Sequence, residues 1–230
     1  ITGANEGAKV LKRSTSVMLP ENRKSRLPLK LDAFWWIYDH SPLFLQVAAS
    51  LSFVTLQARL ECVNFKYTDI RGDQLYVIRQ KSATQSDFAF IKIEMNDQIN
   101  EIIQLSRSDS IASQHIVHRR SKRLQARKLQ KLPFGAVSDE YLTKVFAEVR
   151  NKAVAEGVIT VPDGRTPPTF HEIRGLGSRE YRKQGFPEQY IQYLLTHTDP
   201  KTSKIYTEGG QTALTDQDFK PVKAELIIRR

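Results

Sequence analysis

The run over residues 43–56 constrains the fold more than any other stretch of the chain. It is apolar almost all the way round a helix, and a helix with no polar face must be covered on every side. Gln46, Ser50, Ser52 and Thr55 interrupt it, and it is shorter than the roughly 20 apolar residues that cross a bilayer. It therefore reads as the central helix of a packed core and not as a membrane span. Residues 31–40 carry a second dense apolar cluster, and Ser41-Pro42 between the two supplies an N-cap and a first helical position for the central helix over residues 42–55.

Other segments assemble around that helix. Residues 75–80 and 88–95 are rich in β-formers and flank the polar turn 82–87, which predicts a hairpin with Lys81 at its tip. Residues 138–155 return to helical periodicity through Leu142, Val145, Phe146, Val149 and Val154. Gly157, Pro162, Gly164, Pro167 and Pro168 then mark a loop. Thr169-Phe170-His171-Glu172 has the form of a capping box, and Asp199-Pro200 is a second helix start. The last residues, 224–230, form a short β-like run behind Pro221. The expectation is an α+β chain, mainly helical, with a small antiparallel β-sheet. It divides into a basic arm or linker over residues 1–25, one domain over residues 26–220 and a tail strand over residues 221–230. The opening at Ile1, in a polar and glycine-containing stretch, reads as a piece of a longer protein.

Charge narrows the partner. Lys and Arg number 35 against 25 Asp and Glu, a formal charge of +10 on 230 residues, which favours an anionic surface such as nucleic acid or membrane. The excess is concentrated in residues 9–30 and 107–131. In the second stretch Arg107, Arg119, Arg120, Lys122, Arg123, Arg127, Lys128 and Lys131 face a single acid, Asp109. Cys62 is the only cysteine, which excludes an internal disulfide framework or a multi-thiolate zinc site and suits a reducing compartment, here the cytoplasm. With five histidines and no carboxylate cluster beside them, neither a metal site nor a cofactor is expected. His115 and His118, next to Arg119-Arg120, read as loop or DNA-facing residues.

The capping box puts His171 and Arg174 one turn apart on one helix face. An imidazole beside a guanidinium can hold one anionic group, the guanidinium by a forked contact and the imidazole by hydrogen bonding or proton exchange, as phosphate chemistry requires. His171, Arg174, His197 and Tyr206 then follow one another at set spacings, 23 residues from Arg174 to His197 and nine from His197 to Tyr206.

The string HEIRGLGSREYRKQGFPEQYIQYLLTHTDPKTSKIYTEGG resembles the C-terminal signature of tyrosine recombinases, the lambda-type phage integrases in particular. TLQARLECVNFKYTDI is similar to that family's first-arginine box, and LYVIRQKS to the strand that ends in its hairpin lysine, Lys81. The resemblance implies a recombinase catalytic domain over residues 26–220 that cuts and rejoins double-stranded DNA through a 3′-phosphotyrosyl intermediate on Tyr206, without cofactor or metal. It assigns Arg174 and His197 to the phosphate oxygens, His171 to proton transfer near the nucleophile, Lys81 to the leaving 5′-oxygen and Glu61 to structural support. Arg119, Arg120, Lys122, Arg123 and Lys128 become DNA-contacting residues. Other protomers become partners in a tetramer on DNA, with the tail a candidate for exchange between them.

One position departs from the pattern. Aligning Thr55 and Glu61 with the family's box puts Leu56 at the usual Gly and Ala58 at the first catalytic Arg, with Arg59 adjacent. A one-residue offset turns a side chain about 100° round a helix. An engineered substitution, a naturally weakened enzyme and a local shift that lets Arg59 serve all fit this. A non-catalytic DNA-binding protein on the same fold and a type IB topoisomerase-like enzyme are the competing functions.

Overall fold

Helix α2 (Leu43–Thr55) runs through the middle of the molecule, with eleven of its thirteen residues buried. The computed structural model describes residues 25–79, 90–120, 132–195 and 216–226. Around α2 pack α1 (Leu31–Asp39), α3 (Arg59–Asn64), α4 (Asp97–Arg107), α5 (Asp139–Ala155) and α6 (His171–Lys183), and α7 (Glu188–Leu195) lies against α6. No helix among the described residues is long and apolar enough to cross a membrane. The cap between α1 and α2 differs from expectation. Pro42 itself is the N-cap residue of α2, while the Ser41 hydroxyl turns back and donates to the carbonyl of Ile37, 2.6 Å away. Ser41 thus ends the first helix and does not start the second.

Among the described residues six short strands accompany the helices: β1 (Ser25–Arg26), β2 (Ile70–Arg71), β3 (Gln74–Ile78), β4 (Phe90–Glu94), β5 (Arg165–Thr166) and β6 (Lys220–Lys223). β3 and β4 pair antiparallel from Gln74↔Glu94 to Ile78↔Phe90, the hairpin arms expected from their alternation. Leu75, Val77, Ile91 and Ile93 all point into the core. The sheet is mixed and not purely antiparallel, because β6 pairs parallel with β4 in the order β2-β3-β4-β6. β6 is an edge strand, where the missing N–H of Pro221 is tolerated.

The tail strand therefore starts at Lys220, ahead of the β-like run at 224–230, and through Leu226 it folds on its own domain. Ala224 and Leu226 are fully buried. The Leu226 N–H donates to the Tyr181 hydroxyl at 3.3 Å, and that hydroxyl donates to the Val54 carbonyl at 2.7 Å. Exchange of this strand with another protomer would first have to unpair it from β4. At the other end, β1 pairs parallel with β5, so the arm joins the domain already at Ser25.

Close approach fixes where α6 crosses α2. A Cβ at Gly177 would lie 2.4 Å from the Phe53 carbonyl oxygen and 2.7 Å from Leu56 Cδ2, and the first of these is backbone that cannot swing aside. Gly177→Ala is expected to cost about 1–3 kcal/mol by overpacking, read as a lower urea midpoint with an unchanged m-value.

Candidate active site

The site begins where α6 leaves the Pro167-Pro168 loop. The Arg150 guanidinium donates to the Pro168 carbonyl at 2.9 Å. The Glu172 carboxylate accepts both the N–H and the hydroxyl of Thr169, each at 2.7 Å. Only half of the expected capping box forms, because the Thr169 hydroxyl faces Glu172 and caps no backbone N–H. Phe170 takes the cap position and α6 starts at His171. His171 and Arg174 then face one cavity of roughly 430 Å³, whose wall also includes Ala58, Arg59, Glu61 and Arg79.

Arg174 is 5% exposed and donates to the carbonyl of Leu195, at the end of α7. Arg79, just past β3, donates to the same carbonyl at 2.9 Å. Gln57, between α2 and α3, donates to the neighbouring Leu194 carbonyl at 2.9 Å. A helix C-terminus leaves its last carbonyls without intrahelical partners, and here side chains from three other parts of the chain supply them. Burial, reinforced by the Arg79 cation and opposed by Glu61, pushes the Arg174 guanidinium down to about 10. It remains charged at neutral pH.

The first-arginine segment turns at Leu56. Leu56 ends α2 with a φ of 54°, the left-handed conformation that glycine adopts freely and other residues reach at about 1–2 kcal/mol. Leu56 is fully buried, and burying a leucine side chain returns about 1.5–3 kcal/mol, so burial offsets the strain. Ala58 is the N-cap residue of α3 and offers the cavity a methyl group. Arg59 borders the same cavity, but its guanidinium is turned to α5, where it donates to the Thr143 hydroxyl at 2.8 Å and pairs with Asp139 at 3.3 Å.

Comparison with known proteins gives the geometry its relatives. No family model matches the chain. The integrase of Enterobacteria phage P21 is 29% identical over 194 residues, covering 82% of this chain and 47% of that protein. The integrase of Escherichia phage lambda is 27% identical over 208 residues, covering 86% and 51%. The chain thus spans about half the length of the curated relatives it matches. The solved catalytic core of lambda integrase superposes with a TM-score of 0.57 at 26% identity, covering 75% of this chain and 96% of that one. The lambda integrase tetramer bound to a Holliday junction gives 0.57 at 26%, covering 81% and 49%. The chain carries a tyrosine recombinase catalytic domain.

Within the recombinase domain the described residues bring together His171, Arg174, Ala58, Arg59 and Glu61. Tyr206, His197, Lys81, Lys122, Arg123, Lys128 and the Asp199-Pro200 helix start lie outside the described residues. Arg120 is exposed, and Arg119 stacks its guanidinium 3.9 Å from the centre of the Tyr141 ring. His115 and His118 are not DNA-facing: both are buried. His118 is held by Asp109 at 3.1 Å and by the carbonyl of His115 at 2.9 Å, so they order the loop between α4 and α5. Burial, with the nearby cations Arg174, Arg26 and Arg79, holds the His171 imidazole below its ordinary value, against the opposing pull of Glu172.

Gln57 and Arg79 were not among the expected site residues. Both lie inside quoted motif strings, and only the carbonyls of α7, more than a hundred positions away, reveal what they do. Glu61 Oε2 is buried and meets no hydrogen-bond donor among the described residues, yet the carboxylate offsets the charge of both Arg79 and Arg174. Glu61→Gln removes that balance. The recombinase domain is then expected to lose about 1–3 kcal/mol in urea denaturation at low ionic strength, and part of the loss should return when sulfate supplies an anion.

Proposed function

We propose that this chain is the catalytic part of a site-specific DNA recombinase of the integrase type, which breaks and rejoins double-stranded DNA through a covalent bond to Tyr206. The reading is carried by one observation: His171 and the buried Arg174 share a cavity with the first-arginine segment, and Arg174 is anchored to the helix end that leads into the Leu194-Leu195-Thr196-His197 box. The likeness to phage integrases supports it, as does the DNA on which a lambda integrase tetramer has been solved.

In this mechanism the Tyr206 hydroxyl attacks a phosphodiester in line. A bond forms between its oxygen and phosphorus, the bond to the 5′-oxygen breaks, and a 3′-phosphotyrosyl link conserves the bond energy for rejoining. The transition state gathers negative charge on the non-bridging oxygens, so preorganised cationic donors are the main lever. Arg174 and His197 serve those oxygens, neutral His171 accepts the Tyr206 proton, and Lys81 delivers one to the departing 5′-oxygen. Other protomers of the same chain assemble on DNA so that strands can be exchanged, and Arg120, Lys122, Arg123 and Lys128 contribute phosphate contacts outside the cavity. Ala58 withdraws one oxyanion donor from this set, which is the feature that favours a non-catalytic DNA-binding protein as the second reading.

A nicked suicide substrate separates the two. Covalent adduct is expected from the unaltered chain and none from Tyr206→Phe, while both bind DNA alike. Adduct that persists in Tyr206→Phe would remove Tyr206 as nucleophile, and no adduct from either would leave the non-catalytic reading.

The pH profile provides a separate check. His171 accepts a proton only when neutral, and its folded value lies below the ordinary 6.5. Cleavage should therefore hold as pH falls through 6.5 and decline only below it. An acid limb centred above 6.5 in single-turnover cleavage would count against His171 as the proton acceptor.

A further inference from the structure

Two guanidinium groups meet at the head of the cavity where only one was expected. Both donate to the Leu195 carbonyl oxygen, which has lone pairs for two donors, and their meeting there sets like charges side by side. Burial lowers both guanidinium groups, the Arg79 cation lowers Arg174 further, and Glu61 is the carboxylate that offsets both. Such a pair is stabilised by an anion placed between the two cations. Across the same cavity, the position where the recombinase pattern carries an arginine holds the methyl group of Ala58, and the neighbouring Arg59 is engaged by Thr143 and Asp139.

We propose that Arg79 is a catalytic residue that contacts the scissile phosphate and supplies, from the end of β3, the guanidinium that position 58 lacks. The inference rests on the recombinase reading above. The cation reaches the cavity from the hairpin strand and not from the first-arginine segment, so the charge is kept while its origin in the chain has moved.

The test compares single-turnover cleavage of a suicide substrate by the full chain, Arg79→Ala and Arg79→Lys, alongside Arg79→Ala combined with Ala58→Arg. The same set is run on a substrate with methylphosphonate at the scissile position, whose transition state carries one negative charge fewer. Arg79→Ala should lose about 10²–10³-fold in cleavage with DNA binding nearly unchanged. Arg79→Lys should keep part of the rate. Adding Ala58→Arg should recover most of it by returning a guanidinium to the same cavity. On methylphosphonate the deficit of Arg79→Ala should nearly vanish. A loss of equal size on both substrates, or no loss on either, overturns the proposal.

Thermal stabilisation by inorganic phosphate keeps the two readings apart. If the unaltered chain forms no adduct, the recombinase reading fails. Arg79 then stands as a phosphate ligand if its replacement by Ala abolishes the upward shift of Tm by phosphate, and falls if the shift persists.

Discussion

The carbonyl oxygen of Leu195 is the point on which the site depends. α7 is eight residues long and ends inside the protein, so its last carbonyls need partners that the helix cannot supply. Gln57, Arg79 and Arg174 supply them from the α2–α3 connection, the exit of β3 and the first turn of α6. One capping requirement thereby brings three distant parts of the chain to within a hydrogen bond of one another. Arg79 and Arg174 share the Leu195 carbonyl while Gln57 holds that of its neighbour Leu194, so a shift of the helix end disturbs all three. This is the kind of preorganisation that electrostatic catalysis needs.

Burial decides what those donors can be. A lysine ammonium at the position of Arg174 could lose its proton under the same desolvation, whereas an arginine displaced to about 10 still keeps its charge at neutral pH. The planar guanidinium can also bond a backbone carbonyl on one edge and present another edge to an anion. The histidine beside it is shifted the same way from a much lower starting value, so burial and cations favour its neutral form. One desolvated, positively charged cavity thus holds a permanent cation and a neutral imidazole side by side, the pair that the proposed phosphoryl transfer requires.

Legibility in the sequence followed the range of the interaction. Helices α1, α2 and α5 and the arms of the hairpin could be read because apolar periodicity records burial locally. The pairing of His171 with Arg174 could be read because four positions make one helical turn. Cap details were less secure: Ser41 and Thr169 have the composition of N-caps, but each hydroxyl found a stronger local acceptor, the Ile37 carbonyl and the Glu172 carboxylate. Parallel pairing of β6 with β4 left no local trace, since a strand over 120 positions away decides it. His115 and His118 looked like part of a basic surface by their neighbours, yet both are buried, and Asp109 and backbone carbonyls hold the His118 ring inside.

Ala58 shows the same division most sharply. By sequence position it is a loss of charge, because a motif ties an arginine to a place in a string. By spatial position the cavity is already served by a guanidinium from another element, since three segments converge on the same helix end. Leu56 belongs to the same segment. It occupies a left-handed backbone position that glycine fills at no cost, and it stays there because its side chain is buried against Gly177 on α6. Strain at residue 56, the methyl group at 58 and the inward cation at 79 are then one connected arrangement. Packing holds the backbone of the first-arginine segment, and under the proposal the charge that Ala58 lacks enters from the end of β3.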